Sequence, residues 1–187
     1  MELYSILDFI DLLPTASKIK LERCVTEVSY PKGHMLMHAG KIEPYIYFVK
    51  KGILRVFTHS IENEITLLFC KEGDAIVSMR SYVSNQKGYE DVELLEDTVL
   101  YKMETKTLRE LYANDLHIAN WGRKFAEQEL IKTEERFISR QFRTATERYM
   151  EILEKNPELI QRVQLGHIAS YLGITQVSLS RIRAEIK

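Results

Sequence analysis

A regular series of turn residues in the first half of the chain constrains the fold most. Between about Val25 and Met103, short runs rich in β-branched and aromatic residues are separated by glycine or asparagine. A spacing of roughly ten residues between turns is typical of a β-sandwich or a β-barrel. We therefore expect this region to form a β domain. The turn residues are Gly33, Gly40, Gly52, Asn63 and Gly73.

Two hairpins are predicted within this β region. In "YIYFVKKGILRVF", alternating side chains flank Lys51–Gly52, a pair suited to a tight turn. In "DVELLEDTVLYKM", a second strand pair turns at Glu96–Asp97. We expect the two strands of each segment to pair with each other.

Helical segments precede and follow the β region. Pro14 separates two short N-terminal helices, and Asn156–Pro157 ends the predicted helix over residues 143–155. The long helix in the second half has no proline, and its only glycine is Gly122. The predicted helices span residues 3–13, 15–25, 104–115, 115–139 and 143–155.

Two apolar stripes run along the long helix. One stripe can face the chain's own β domain and the other a second copy of the helix, which predicts a homodimer. A single core-facing helix with an irregular pattern is the alternative. The dimer-interface candidates are Ile118, Trp121, Phe125 and Leu130, and the stripes continue through Ala126, Ile131, Phe137 and Ile138.

The last twenty residues, "IASYLGITQVSLSRIRAEIK", match a helix-turn-helix pattern. Ala169 is small enough for two helices to approach closely. Gly173 can end the first helix in the left-handed conformation, and Thr175 is a good N-cap for the second. The shared interior is predicted to contain Ile168, Leu172, Ile174, Leu179 and Ile182.

The remaining side chains of the second helix suit double-stranded DNA. Glutamine can pair with adenine, arginine with the edge of guanine, and serine with bases or phosphate. From Arg140 onward, eight Lys and Arg face five Asp and Glu, which is weak support for a polyanion. A purely structural helical hairpin is the alternative. The DNA-binding candidates are Thr175, Gln176, Val177, Ser178, Ser180, Arg181 and Arg183.

Taken together, these features resemble the catabolite-activator/fumarate-nitrate-regulator (Crp/Fnr) family of bacterial transcription factors. "YIYFVKKGILRVF" is similar to the family's cyclic-nucleotide-binding-type hairpin, and "CKEGDAI" resembles the Gly-Asp that introduces its ligand cassette. "LGHIASYLGITQVSLSRIRAEI" resembles the recognition unit, with Arg181 where the family usually carries a base-contacting arginine. The resemblance implies a homodimer on a pseudo-palindromic operator, with RNA polymerase as a further partner.

The resemblance also implies the fold class and the domains. We expect an α+β protein with an N-terminal double-stranded β-helix or jelly roll, that is, a cyclic-nucleotide-binding-like β-roll. A long dimerisation helix and a C-terminal winged helix-turn-helix follow. The predicted bounds are 1–114 for the sensor domain, 115–139 for the helix and 140–187 for the DNA-binding domain. Only a very short strand pair fits "ELIQRVQ", so the extent of the wing is open.

The ligand cassette departs from the pattern of family members that bind cyclic AMP. Those members carry Gly-Glu-Leu and, later, Arg-Ser; aligned from Gly73–Asp74, this chain has Val77-Ser78-Met79 and Tyr89-Glu90, then Asp91. A buried cyclic phosphate needs a cation, whereas two carboxylates would repel it. We expect another effector or none, and Arg80 and Lys87 keep a cyclic nucleotide as an alternative. The pocket candidates are Ile76, Val77, Ser78, Met79, Arg80, Tyr89, Glu90 and Asp91.

The sequence gives little support for iron–sulfur, zinc or haem sensing, or for an enzyme. Cys24 and Cys70 are too few for an iron–sulfur cluster or a Cys₄ zinc site, and we expect packed thiols. His34, His38, His59 and His117 could ligate haem, but we expect surface or packing histidines. We expect no cofactor, no metal site and no enzymatic activity, because no catalytic motif occurs.

The N-terminus and the length of the apolar runs bear on where the protein is located. The acidic N-terminus is unlike a signal peptide, and no apolar run approaches the ~20 residues that span a membrane. We therefore expect a cytoplasmic protein. A small-molecule sensor that acts through protein interaction, with a vestigial helical hairpin, is the alternative from a different class.

Overall fold

A computed structural model describes residues 1–61 and 63–186; Glu62 and Lys187, the last residue of the predicted DNA-binding domain, lie outside the described residues. The elements are α1 (Leu3–Ile10), α2 (Thr15–Glu22), β1 (Thr26–Tyr30), β2 (Met35–Met37), β3 (Tyr45–Lys51), β4 (Leu54–His59), β5 (Glu64–Cys70), β6 (Ala75–Val77), α3 (Met79–Ser84), β7 (Asp91–Leu94), β8 (Thr98–Glu104), α4 (Thr105–Asn114), α5 (Leu116–Phe142), α6 (Ala145–Lys155), α7 (Pro157–Arg162), α8 (Leu165–Leu172) and α9 (Gln176–Glu185).

The strands form the predicted β-roll from two four-stranded sheets. The strand order is β1-β8-β3-β6 in the first sheet and β2-β7-β4-β5 in the second. In the first sheet, β3 lies between two antiparallel partners, with Ile46 opposite both Val77 of β6 and Met103 of β8. Every predicted helix is present, and the long helix extends slightly beyond its predicted end, to Phe142.

Neither predicted hairpin forms. β3 lies in the first sheet and β4 in the second, so the turn at Lys51–Gly52 carries the chain from one sheet to the other. The turn at Glu96–Asp97 does the same between β7 and β8. The two crossings are adjacent, because the N–H of Leu95 donates to the carbonyl of Ile53 at 2.8 Å. Alternation and a turn show where strands end, but they do not show which strands pair.

Gly52 suits the first crossing for two reasons. Its φ of 122° lies in a region that residues with a Cβ rarely adopt. A Cβ at this position would also collide with the side chain of Thr98, the first residue of β8. The crossing therefore requires the absence of a side chain.

The chain divides into two compact units. The first consists of Met1–Val56 and Phe69–Leu130, and the second of Phe57–Leu68 and the chain from Ile131 onward. α5 is continuous and runs from the first unit into the second. The predicted domain bounds at residues 114 and 139 remain predictions.

The core of the first unit lies between the first sheet and the helices of that unit. Ile6 and Leu7 of α1 pack in one cluster with Phe48 of β3 and with Ile118 and Trp121 of α5. The indole Nε1 of Trp121 donates to the carbonyl of Leu7 at 2.9 Å, which satisfies its only polar group.

The second unit contains the closing helices. At the start of α6, Thr144 and Glu147 form a capping box, in which each side chain accepts from the other residue's N–H. No strand occurs among the described residues beyond Glu104, so the strand pair predicted in "ELIQRVQ" does not form there. Pro157 at the first helical position favours α7 instead.

Candidate nucleic-acid interface and effector pocket

α8 and α9 are joined by a tight turn. Gly173 ends α8 with a φ of 68°, and its N–H donates to the carbonyl of Ser170 at 3.1 Å. Thr175 begins α9, and its hydroxyl accepts from the N–H of Ser178 at 3.1 Å. The predicted helix end and N-cap are therefore confirmed.

The inner sides of the two helices share an apolar interior. Leu172 and Leu179 are fully buried, and Ile168 and Ala169 are nearly so. Ile174 and Ile182 are half-buried. The predicted interior positions thus hold the two helices together.

The outer side of α9 carries the predicted DNA-binding residues. Gln176, Val177 and Arg181 are exposed, with 63% of the Val177 surface accessible. The hydroxyls of the two serines serve the helix itself. Ser178 Oγ lies 3.0 Å from Thr175 Oγ1, and Ser180 Oγ donates to the carbonyl of Gln176 at 3.0 Å. Gln176, Val177 and Arg181 are therefore the strongest candidates; Arg183 is half-buried.

Ser170 of α8 bonds to the strand segment of the same unit, which the sequence did not indicate. Its Oγ accepts from the N–H of Thr66 at 2.9 Å and from Thr66 Oγ1 at 3.1 Å. It also donates to the carbonyl of Glu64 at 2.8 Å. Ser170 therefore ties α8 to β5.

The predicted effector residues lie on β6, on α3 and around the start of β7. Ile76 is buried on β6, whereas Met79, Arg80 and Tyr89 are exposed. A Cβ added to Gly88 would lie 2.7 Å from Ser78 Oγ and 3.1 Å from Glu90 Oε1. Ser78 and Glu90 therefore both lie next to Gly88, which leaves no room there for a larger side chain.

The carboxylates of the cassette bind backbone groups. Glu90 accepts from the N–H of Tyr89 at 3.0 Å. Asp91 is buried, accepts from the N–H of Ala39 at 3.1 Å and lies 3.9 Å from Nδ1 of His38. Both acidic groups thus stay in the cassette, where they disfavour a second anion.

The two cationic residues of the cassette, Arg80 and Lys87, form no joint anion-binding site in the described residues. Arg80 donates to Gln86 Oε1 at 2.9 Å and lies 6.0 Å from the ring centre of Tyr89. Lys87 is exposed. Neither residue reproduces a buried arginine beside a phosphate.

The segment before β3 packs over the cassette through hydrogen bonds. The N–H of Gly40 donates to the carbonyl of Gly88 at 2.8 Å, and the N–H of Glu43 donates to Ser81 Oγ at 3.1 Å. Burial raises the pKa of the Glu43 carboxyl, although the N–H of Tyr45 and the charge of Lys102 oppose this. The segment that carries the Glu43 carboxyl group therefore lies beside the cassette.

Arg55 is a buried cation that the sequence analysis missed. It is 2% exposed in β4, and its Nη1 lies 3.7 Å from Glu93 Oε2 of β7. The only signal was one arginine within the apolar run "ILRVF".

Comparisons with known proteins agree with this geometry. Residues 27–115 match the family of the cyclic nucleotide-binding domain. FixK2 from Bradyrhizobium japonicum has a similar structure, with a TM-score of 0.74, 21% identity, and coverage of 87% of this chain and 84% of that one. The chain has the fold of the Crp/Fnr regulators. The predicted resemblance is thus confirmed.

Two further solved structures have the Crp/Fnr fold of this chain. The c-di-GMP-responsive global regulator CLP of Xanthomonas campestris has a TM-score of 0.74 and 16% identity over 92% of this chain and 91% of that one. The catabolite activator protein of Thermus thermophilus has a TM-score of 0.60 and 19% identity, and the match covers 97% and 86%. No curated protein matches the sequence. At these identities the likeness concerns the fold.

The predicted dimer-interface residues of α5 need a correction. Ile118 and Trp121 are 0% and 1% exposed within the chain's own core. Phe125 packs against the same core and stacks on Trp121, with 6.2 Å between the ring centres. The prediction is wrong for Ile118 and Trp121, because helices of the same chain already cover them. Leu130 is 70% exposed and remains a candidate.

Neither a metal site nor a membrane-spanning helix occurs in the described part of the chain. Within residues 1–61 and 63–186, no three His, Cys, Asp or Glu side chains are grouped so as to hold a metal. None of the helices in these residues combines the length and apolarity needed to cross a bilayer. Cys24 is half-buried and Cys70 is buried.

Proposed function

We propose that the protein is a sequence-specific, DNA-binding transcriptional regulator. The observation that carries this proposal is the two-sided character of α9: Leu179 is buried, whereas Gln176, Val177 and Arg181 are exposed. Glutamine and arginine read base edges in the major groove, and an apolar side chain contacts the methyl group of thymine. The likeness to FixK2 and to the catabolite activator protein supports the same class.

A homodimer is part of the proposal. Apolar side chains seven residues apart remain exposed along the second half of α5, which suits a parallel copy of the helix. Two recognition helices related by a two-fold axis would read half-sites about 10 bp apart. Such a regulator acts in the cytoplasm, with RNA polymerase as a further partner. The exposed residues are Leu130, Ile131, Phe137, Ile138 and Phe142.

The experiment is operator selection from random duplexes, followed by binding measurements. Arg181→Ala should cost ~1–3 kcal/mol at the selected operator and relax one base position. Lys155→Ala, which removes an exposed charge from α6, is the control and should keep the base preference. Equal binding by Arg181→Ala and the wild type would remove Arg181 from the interface.

Binding to random duplex also distinguishes a DNA-binding protein from a sensor that acts through protein interaction. A DNA-binding protein should bind random duplex more weakly as the salt concentration rises, because phosphate contacts release counterions. Complete absence of salt-sensitive binding would favour a sensor that acts through protein interaction.

We further propose that cyclic AMP is not the effector. The position of Glu90 and Asp91, and the engagement of Arg80 with Gln86, support this. The match of residues 27–115 to the cyclic nucleotide-binding domain favours a nucleotide as the second candidate. Calorimetry with cyclic AMP and cyclic GMP should give no saturable heat. Saturable micromolar binding would overturn this part of the proposal.

A further inference from the structure

Arg148 of α6 lies where the carboxyl ends of two helices of the second unit meet. Its Nη2 donates to the carbonyl of Leu172, the last residue of α8, at 2.6 Å. Its Nη1 donates to the carbonyl of Arg143, directly after α5, at 2.7 Å, and more weakly to that of Arg140 at 3.5 Å. One guanidinium therefore joins the end of the long helix to the end of α8.

The position of these carbonyls at helix ends explains why they bind a cation. The last carbonyls of a helix have no partner within the helix and carry partial negative charge, so a cation there is stabilising. In α8, the carbonyls of Ala169 and Ser170 accept from the N–H groups of Ile174 and Gly173. The carbonyl of Leu172 instead accepts from Arg148. Leu172 is the residue directly before the turn that leads into α9.

The side chain of Arg148 is also constrained by its surroundings. Among the residues that the structure describes, no hydrogen-bond partner contacts its buried Nε. Burying a donor without a partner costs free energy. The hydrogen bonds of Nη1 and Nη2 must therefore contribute more free energy than the buried Nε loses. Only a planar guanidinium can reach both helix ends at once.

We propose that Arg148 is a positioning residue for DNA recognition. It transmits the orientation of the carboxyl end of α5 to the turn between α8 and α9, and so orients the outer face of α9. The claim about DNA rests on the proposed function, whereas the claim about the turn does not.

The first test is hydrogen–deuterium exchange of the full-length protein. Arg148→Met keeps a long side chain but removes both donors, and Arg148→Lys keeps the charge without the fork. Both variants should speed exchange in the turn and the first residues of α9 by about tenfold. Lys155→Met, a charge loss on the same helix, should leave exchange there unchanged. Unchanged exchange in Arg148→Met, or full protection in Arg148→Lys, would overturn the proposal.

The second test measures binding to the selected operator and to a scrambled duplex of equal length. Arg148→Met should bind the operator about tenfold more weakly and the scrambled duplex nearly as well as the wild type. Partial unfolding or simple charge loss would weaken both alike, and that result would refute the positioning role. If the wild type showed no operator preference, the proposed function would fail, while the exchange data would still decide whether Arg148 holds the turn.

Discussion

At the scale of single residues, Asp115 determines how α5 begins. Its carboxylate lies directly before the helix and accepts from the N–H groups of His117 at 3.0 Å and Ile118 at 3.3 Å. Lys20 Nζ donates to it at 2.6 Å, and Ser17 Oγ at 3.1 Å. These hydrogen bonds, that of Lys20 above all, hold the pKa of Asp115 at about 2.

This lowered pKa predicts a dependence of stability on pH. Because the pKa is lower in the folded state than in the unfolded chain, Asp115 contributes stability above about pH 4 and loses it as the pH falls toward 2. Asp115→Asn should lower the free energy of unfolding by about 1–2 kcal/mol at pH 7, and by much less near pH 2. Urea unfolding at several pH values measures this.

The control for Asp115 is an exposed carboxylate on a neighbouring helix. Glu110 is exposed on α4, so Glu110→Gln should change the free energy of unfolding by less than about 0.5 kcal/mol at pH 7. A constant difference between Asp115→Asn and the wild type from pH 7 to pH 2 would show that the charge of Asp115 contributes nothing.

At the scale of elements, two polar side chains attach α8 to the rest of the second unit, in addition to its apolar contacts with α9. Arg148 binds the carbonyl at its end, and Ser170 bonds to Thr66 and Glu64 of β5. Thr66 is fully buried, so its hydrogen bonds are formed away from water and are costly to lose.

Removal of the Ser170 hydroxyl tests this attachment. Ser170→Ala should lower the stability of the second unit by about 1–2 kcal/mol, because the buried Thr66 N–H loses the oxygen that accepts from it. Ser180 Oγ donates to the carbonyl of Gln176 in its own helix, so Ser180→Ala should change stability by less than about 0.5 kcal/mol. Thermal unfolding measures both variants, and equal effects would show that the contact to β5 is not stabilising.

At the scale of the whole molecule, assembly depends on side chains that the single chain leaves uncovered. Phe137 and Phe142 are 69% and 79% exposed on α5, and Leu130 is 70% exposed. Exposed large apolar residues along one helix mark a surface that is favourable to bury against a partner.

A charged substitution on this surface should separate the copies. Phe137→Glu should yield monomers in analytical ultracentrifugation and weaken operator binding by about a hundredfold, because two linked half-site contacts become one. Leu12→Glu is the control, since Leu12 is 81% exposed but lies outside α5. A Phe137→Glu protein that remained dimeric would place the interface elsewhere.

The sequence by itself determined the features that depend on near neighbours. Gly173 ends α8 and Thr175 begins α9 as predicted, because a left-handed residue and an N-cap act within three or four positions of the chain. The existence of the helices, the extent of the β region and the acidic character of the cassette followed in the same way.

Only the tertiary structure decided which distant parts meet. It paired β3 with β6 and β8 rather than β4, and it placed Trp121 against Leu7, 114 positions away. It also joined Ser170 to Thr66, 104 positions away, and brought Arg148 to Leu172. Turn chemistry and periodicity act locally, whereas strand partners and burial are set by the packing of the entire chain.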